Sequence, residues 1–261
     1  FGADNSSILN TIKFEYYNTT QGFDNTTNKW LVPGGLVFSS SSSSGQDFGV
    51  RLLDVNNDGF PDLTKARSGE SHLTYLNNKE NGWSSTSLFV IPLGIEIVDG
   101  NSVDQGVRFD DVNTDGLIDI LVSKSGNAKK VYINNGTGWT NETGNWSIPI
   151  NFIGSSSEGL GVELADVNSD GKVDIIRSQE PNIKEVWLNN GSGWINASND
   201  WHIPDFFVTS DNNDTGLRIL DINGDSLPDL VKGGVPGNAW FNNGSGWTGH
   251  SEYSPNLEFV D

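Results

Sequence analysis

Four short stretches of the chain alternate apolar and polar residues with a period of two. They are Val50/Leu52 around Arg51, Val107/Phe109 around Arg108, Val162/Leu164 around Glu163, and Leu217/Ile219 around Arg218. Period two puts successive side chains on opposite faces, so each stretch predicts a β-strand with one packed face. An aspartate-rich loop follows each, then a short apolar run such as Ile118 to Val122. A third run, Val186-Trp187-Leu188 in one copy, ends at an Asn-Asn-Gly turn. A fourth strand is expected from the Trp of the next Gly-Trp pair to an Ile-Pro step at Pro92, Pro149 or Pro204. Nowhere does an apolar period of 3.6 persist for three turns.

These pieces recur in register. The loops open at Asp54, Asp111, Asp166 and Asp221, with spacings of 57, 55 and 55 residues. Tyr75, Tyr132, Trp187 and Trp240 precede the turn motif in each copy. Four strands in ~40–60 residues is the size of one propeller blade. The expected fold is all-β, a β-propeller-like array of four-stranded antiparallel blades: half a blade plus four complete repeats of about 55 residues. As one domain over 1–261 it divides into a half blade (1–38) and blades at 45–99, 100–154, 155–210 and 211–261. The half blade rests on residues 12–30, which match a third and fourth strand. The serine run from Ser39 to Ser44 reads as a surface loop. Half a blade leaves an open strand edge. Three explanations stand: a larger propeller of which this is a fragment, completion by a partner or another copy, or imperfect closure of five sheets.

Composition narrows the partners. With 34 acidic against 15 basic residues the net charge is −19. Nucleic acids and anionic membranes require a cationic face, so neither is expected, and a cationic partner such as a divalent metal is favoured. There is no cysteine, which removes disulfides, thiol catalysis and zinc–thiolate sites. No apolar run approaches the ~20 residues that span a bilayer. Asn-x-Ser/Thr sequons begin at Asn5, Asn18, Asn25, Asn135, Asn141, Asn145, Asn190, Asn196, Asn213 and Asn243. They make an extracellular, secreted or cell-surface location and a glycosylated surface the expectation. Asn-Gly-Ser turns also generate sequons without that role.

The four loops carry the candidate chemistry. Oxygen-bearing side chains stand at positions 1, 3, 5 and 9: Asp54, Asn56, Asp58, Asp62; Asp111, Asn113, Asp115, Asp119; Asp166, Asn168, Asp170, Asp174; and Asp221, Asn223, Asp225, Asp229. Ca²⁺ takes six to eight hard oxygens, and such a loop adds a backbone carbonyl at position 7, here Phe60, Leu117, Lys172 or Leu227. Three carboxylates gathered without a cation repel. Four Ca²⁺ would move the formal charge from −19 to about −11. Mg²⁺ holds its waters and suits the loops less well. Glycine at position 6 permits the sharp turn. The fourth loop has Ser226 there and Gly224 at position 4, so a looser geometry is expected. An EF-hand is excluded: its position 12 needs a bidentate Glu, and here that position holds Lys65, Val122, Arg177 or Lys232.

The Asp47-Phe48-Gly49 step, followed by Asp-x-Asn-x-Asp-Gly-x-x-Asp and an apolar strand, resembles the FG-GAP/VCBS repeats of integrin α-subunit propellers, bacterial surface and toxin-complex proteins and some fungal lectins. The resemblance implies calcium in the hairpin between strands one and two of each blade, and extracellular recognition. The Phe-Gly pair itself occurs only at Phe48-Gly49; Gln105, Leu160 and Thr215 precede the glycine in the other copies.

The Asn-Asn-Gly-x-Gly-Trp motifs admit two roles, hairpin turns with a packing Trp or exposed sugar-stacking platforms, and packing is the expectation. His72, His202 and His250 occupy unrelated repeat positions, so no triad or histidine metal site is expected. The reading is therefore a non-enzymatic, calcium-stabilised adhesion or scaffold module, with a protein or glycan ligand at the cell surface. A surface filament completed by strand pairing is one form of it. A lectin propeller, or a propeller segment of a large secreted or toxin protein, is the alternative.

Overall fold

The computed structural model describes residues 31–39, 45–234, 237–250 and 252. The half blade's residues 1–30, sequons Asn5, Asn18 and Asn25, most of the serine run, and the C-terminal stretch after Glu252 lie outside the described residues. Among the described residues, sixteen strands form four antiparallel sheets of four, each ordered as in the chain. The first blade holds β1 (Val50–Leu53), β2 (Asp62–Lys65), β3 (Leu73–Asn77) and β4 (Trp83–Thr86). The second holds β5 (Val107–Asp110), β6 (Asp119–Val122), β7 (Lys130–Asn134) and β8 (Trp139–Asn141). The third holds β9 (Val162–Ala165), β10 (Asp174–Gln179), β11 (Ile183–Asn189) and β12 (Trp194–Asn196). The fourth holds β13 (Leu217–Leu220), β14 (Asp229–Lys232), β15 (Asn238–Asn242) and β16 (Trp247–Gly249). The fold is a propeller-like array of blades, and among the described residues their sheets do not join into a closed barrel. Among the described residues no helix is long and apolar enough to cross a membrane.

Among the described residues the sheets pair strands only within themselves, so the blades meet mainly through side chains. Val112, Leu121, Val131, Ile148 and Phe152 of the second blade pack on Val173, Ile175 and Trp194 of the third. Val167, Ile176, Val186 and Trp201 of the third pack on Leu217 and Leu230 of the fourth. The hydrophobic core thus lies between blades, and the second strands, with Leu63, Ile120, Leu121, Ile175, Ile176, Leu230 and Val231 buried, contribute most to it. Val98, Ile153 and Val208 carry the chain across each joint: each bridges one blade in parallel (to Arg67, Lys124, Gln179) and then turns antiparallel against Asp104, Gly159 or Asp214.

The fourth strands are shorter than expected and end well before the Ile-Pro steps. In the second and third blades Asn141 and Asn196 turn the chain, their Oδ1 atoms accepting from the N–H of Thr143 and Ser198, each at 3.0 Å. This Asx turn competes with continued pairing. The glycine before each first strand has a steric cause. At Gly106 and Gly161, with φ of +74° and +63°, an added Cβ would lie 2.5 and 2.3 Å from the carbonyl oxygens of Ser123 and Ser178. No other residue allows so close an approach.

Candidate metal loops

Each aspartate loop is folded by its own hydrogen bonds. Position 1 gathers backbone N–H groups: Asp54 accepts from Asp58 at 3.1 Å and from Gly59 at 2.8 Å. Asp111 and Asp166 do the same in their loops. The position-5 carboxylates, Asp58, Asp115, Asp170 and Asp225, each accept from the N–H of position 7, Phe60, Leu117, Lys172 and Leu227, at 2.8–3.0 Å. The position-3 amides of Asn56, Asn113, Asn168 and Asn223 donate to the other oxygen of position 5 at 2.9–3.3 Å. Positions 3 and 5 are therefore drawn together over position 1.

Position 9 sits differently. Asp62, Asp119, Asp174 and Asp229 are fully buried beneath the loops. One oxygen of each accepts from the position-2 N–H (Val55, Val112, Val167, Ile222) at 3.0–3.1 Å. The other accepts from the N–H of Asn77, Asn134, Asn189 or Asn242 at 2.7–2.8 Å. Burial is the main cause that raises these carboxyls, Asp62 to about 6 and Asp119 and Asp174 to about 7, with loop carboxylates adding to it and the two N–H donors opposing it. Asp229 is raised for the same reason.

The donor set suits a hard cation. Every side chain in it offers oxygen, and each carboxylate oxygen of position 9 keeps a second lone pair beside its N–H partner. Among the described residues no group of three or more Asp, Glu or His side chains converges as a ready-made cage. A cation would draw position 9 and the rim together and replace the Asn–Asp hydrogen bonds. In the third loop the Lys172 ammonium already stands 3.3 Å from Asp170. In the fourth loop the Ser226 N–H donates to Asp221 at 2.9 Å with φ of +70°, in the place of Gly59 and its 2.8 Å bond, and the Gly224 N–H donates to the other Asp221 oxygen at 2.7 Å. Glycine and non-glycine have exchanged positions 4 and 6, since Asn57, Thr114 and Ser169 also have positive φ.

A further link was not anticipated from the sequence. The amides of Asn134, Asn189 and Asn242 donate to the position-2 carbonyls of the preceding blade, Val55, Val112 and Val167, at 2.7–2.8 Å. Loop, position-9 aspartate, asparagine and neighbouring loop thus form one buried hydrogen-bonded string through all four blades. The three recurring Asp–Arg pairs before the loops were also missed: Asp47–Arg51, Asp104–Arg108 and Asp214–Arg218, at 2.6–3.1 Å. Their signal was an Asp-x-Gly-x-Arg recurrence that the third blade breaks with Gly159 and Glu163.

The motif tryptophans pack. Trp194 lies edge-on to Trp146 of the preceding blade at 5.4 Å between ring centres, and Trp247 to Trp201 at 5.3 Å. Their indole N–H groups donate to the carbonyls of Val173 and Pro228. The sequon residues Asn135, Asn141, Asn145, Asn190, Asn196, Asn213 and Asn243 are exposed. His72, His202 and His250 share no site: His72 meets the Ile91 carbonyl, and His250 meets Glu252.

Residues 111–177 match the model of the FG-GAP-like repeat. No match is found among curated protein sequences. The fold is similar to that of an Agrocybe aegerita lectin described for specific recognition of non-reducing terminal N-acetylglucosamine, with 19% identity and a TM-score of 0.55 over 79% of this chain and 52% of that one. It is also similar to part of the Photorhabdus luminescens Tc holotoxin pore, with 17% identity and a TM-score of 0.50 over 86% of this chain and 10% of that one. The chain spans about half of the lectin chain and a tenth of the toxin chain, and at these identities the likeness is one of fold. The matched segment runs from the loop at Asp111 through the one at Asp166, and Asp54 and Asp221 open two more copies of its loop in register: the chain carries FG-GAP-like repeats.

Proposed function

We propose that this protein is a calcium-stabilised, extracellular binding or scaffold module without catalytic activity. The observation that carries the reading is the string: in the second, third and fourth blades the buried aspartate bonds an asparagine whose amide donates to the loop of the preceding blade. Calcium held by Asp54, Asn56, Asp58 and Asp62, and by their counterparts, would neutralise carboxylates that burial disfavours and stiffen the joints. Binding to the folded state alone would stabilise it by mass action. The test is calorimetric titration of chelator-stripped protein with Ca²⁺, with melting in Ca²⁺, Mg²⁺ and chelator. Saturable binding near four equivalents and a calcium-specific rise in melting temperature support the reading. No binding, or equal effects of both ions, overturns it.

Carbohydrate recognition is the second reading, favoured by the fold likeness to a lectin. Against it, Trp194 and Trp247 are committed to the joints, so the repeated sugar-stacking platform is not available on those rings. A glycan array probed in calcium decides between them.

A further inference from the structure

The first strands of three consecutive blades, β5, β9 and β13, bring Arg108, Glu163 and Arg218 to one cavity of about 360 Å³. Phe152, Phe207 and Leu160 also line it. A second cavity of about 220 Å³ shares Arg108, Val162 and Glu163 with the first and adds Asp110. A concave site with an apolar lining and few polar groups is the usual form of a small-ligand pocket.

The charges in it are not evenly matched. Arg108 is bonded to Asp104 at 3.1 Å, and Arg218 holds Asp214 with two bonds of 2.9 and 2.6 Å. Both guanidinium groups thus face carboxylates of their own. Among the described residues no hydrogen bond or ion pair reaches the Glu163 carboxylate. Asp110 accepts one bond, from the Asp111 N–H at 2.9 Å. Both acids depart from the repeat: Glu163 stands where the other blades have Arg51, Arg108 and Arg218, and Asp110 where they have Leu53, Ala165 and Leu220. Two independent departures from a fourfold pattern add negative charge to adjoining cavities. Solvent reaches Glu163, yet surrounding protein raises its carboxyl pKa by burial, with Arg108 and Arg218 opposing.

We propose that these adjoining cavities bind a small organic cation, a primary ammonium group on an apolar stem, with Glu163, which lines both, as its ion-pair partner and Asp110, which lines the smaller, as the second carboxylate. An anion is disfavoured because both guanidinium groups are already bonded to aspartates. A bare metal ion is disfavoured because no three carboxylates converge here and the lining is rich in aromatic and aliphatic side chains. An ammonium head with a hydrocarbon stem complements both halves of the cavity.

The test titrates the full chain, in calcium buffer, with n-butylammonium, and with butyrate and n-butanol as controls, followed by NMR shifts. Saturable one-site binding of butylammonium alone is expected. Glu163→Gln should weaken it at least ~10-fold with the melting temperature unchanged. Should that variant not fold, Glu163→Arg restores the residue of the other three blades and serves the same purpose. Stronger binding of butyrate, binding unaffected by substitution at Glu163, or no saturable binding overturns the proposal. Because the loops stay loaded throughout, failure here is distinct from failure of the calcium reading.

Discussion

The side-chain amide of Asn134 donates to the backbone carbonyl of Val55, 79 residues earlier, at 2.8 Å, and both groups are buried. Asn189 and Asn242 repeat the contact one and two blades on. Among the described residues the sheets share no strand pairing, so these amides are recurring polar ties across joints packed mainly by apolar side chains.

Asn189→Ala would leave the Val112 carbonyl without its amide partner. A buried group so stranded costs roughly 1–3 kcal/mol. Urea unfolding should show a loss of that size with an unchanged slope, while Asn190→Ala, at an exposed position, should change stability little.

Gly161→Ala should be more damaging than its one methyl implies. The new Cβ would press on the Ser178 carbonyl, in a left-handed backbone region that itself costs an alanine ~1–2 kcal/mol. A fall in thermal stability of at least about 2 kcal/mol is expected. A neutral result would mean that the backbone around Ser178 yields.

Ser226→Gly should stabilise the fourth blade by about 1 kcal/mol, because Ser226 adopts φ of +70° without the freedom of glycine. The reverse change, Gly171→Ser, should destabilise the third loop by a similar amount. Chemical denaturation of the pair checks both signs.

Asp119 and Asp174 ionise near 3.8 in an unfolded chain and near 7 when folded. Between those values the folded protein binds more protons than the unfolded one, so stability of the metal-free protein falls as pH rises from about 4 to about 7. A cation requires the ionised form, so calcium affinity should rise through the upper part of the same window, with protons released. Melting at pH 5 and pH 8, in chelator and in calcium, tests this: chelated protein melts higher at pH 5, and the calcium increment is larger at pH 8.

The repeat, the strands and the loops were legible because each is local: alternation, spacing and turn residues lie within ten positions of one another. The inter-blade string was not, because Asn134 and Val55 meet only after two blades have folded, and nothing near either residue names its partner. Asp62 and its counterparts looked equivalent to Asp54 and Asp58 in the sequence. Burial beneath the loop is what separates them. The Asp47–Arg51 pair was in plain view as a recurrence, but strand alternation accounted for Arg51 first and hid its partner four residues back. The fourth strands were overextended because an Asx turn at Asn141 or Asn196 uses the same residue type that serves as an exposed strand position.

The amide ties also impose a direction in time. Val55 acquires its side-chain partner only once Asn134 exists, Val112 once Asn189 exists, and Val167 once Asn242 exists. A ribosome emits the chain from the N-terminus, so each blade is secured by the one made after it. Until the following blade is made, the position-2 carbonyl of the newest one lacks that partner.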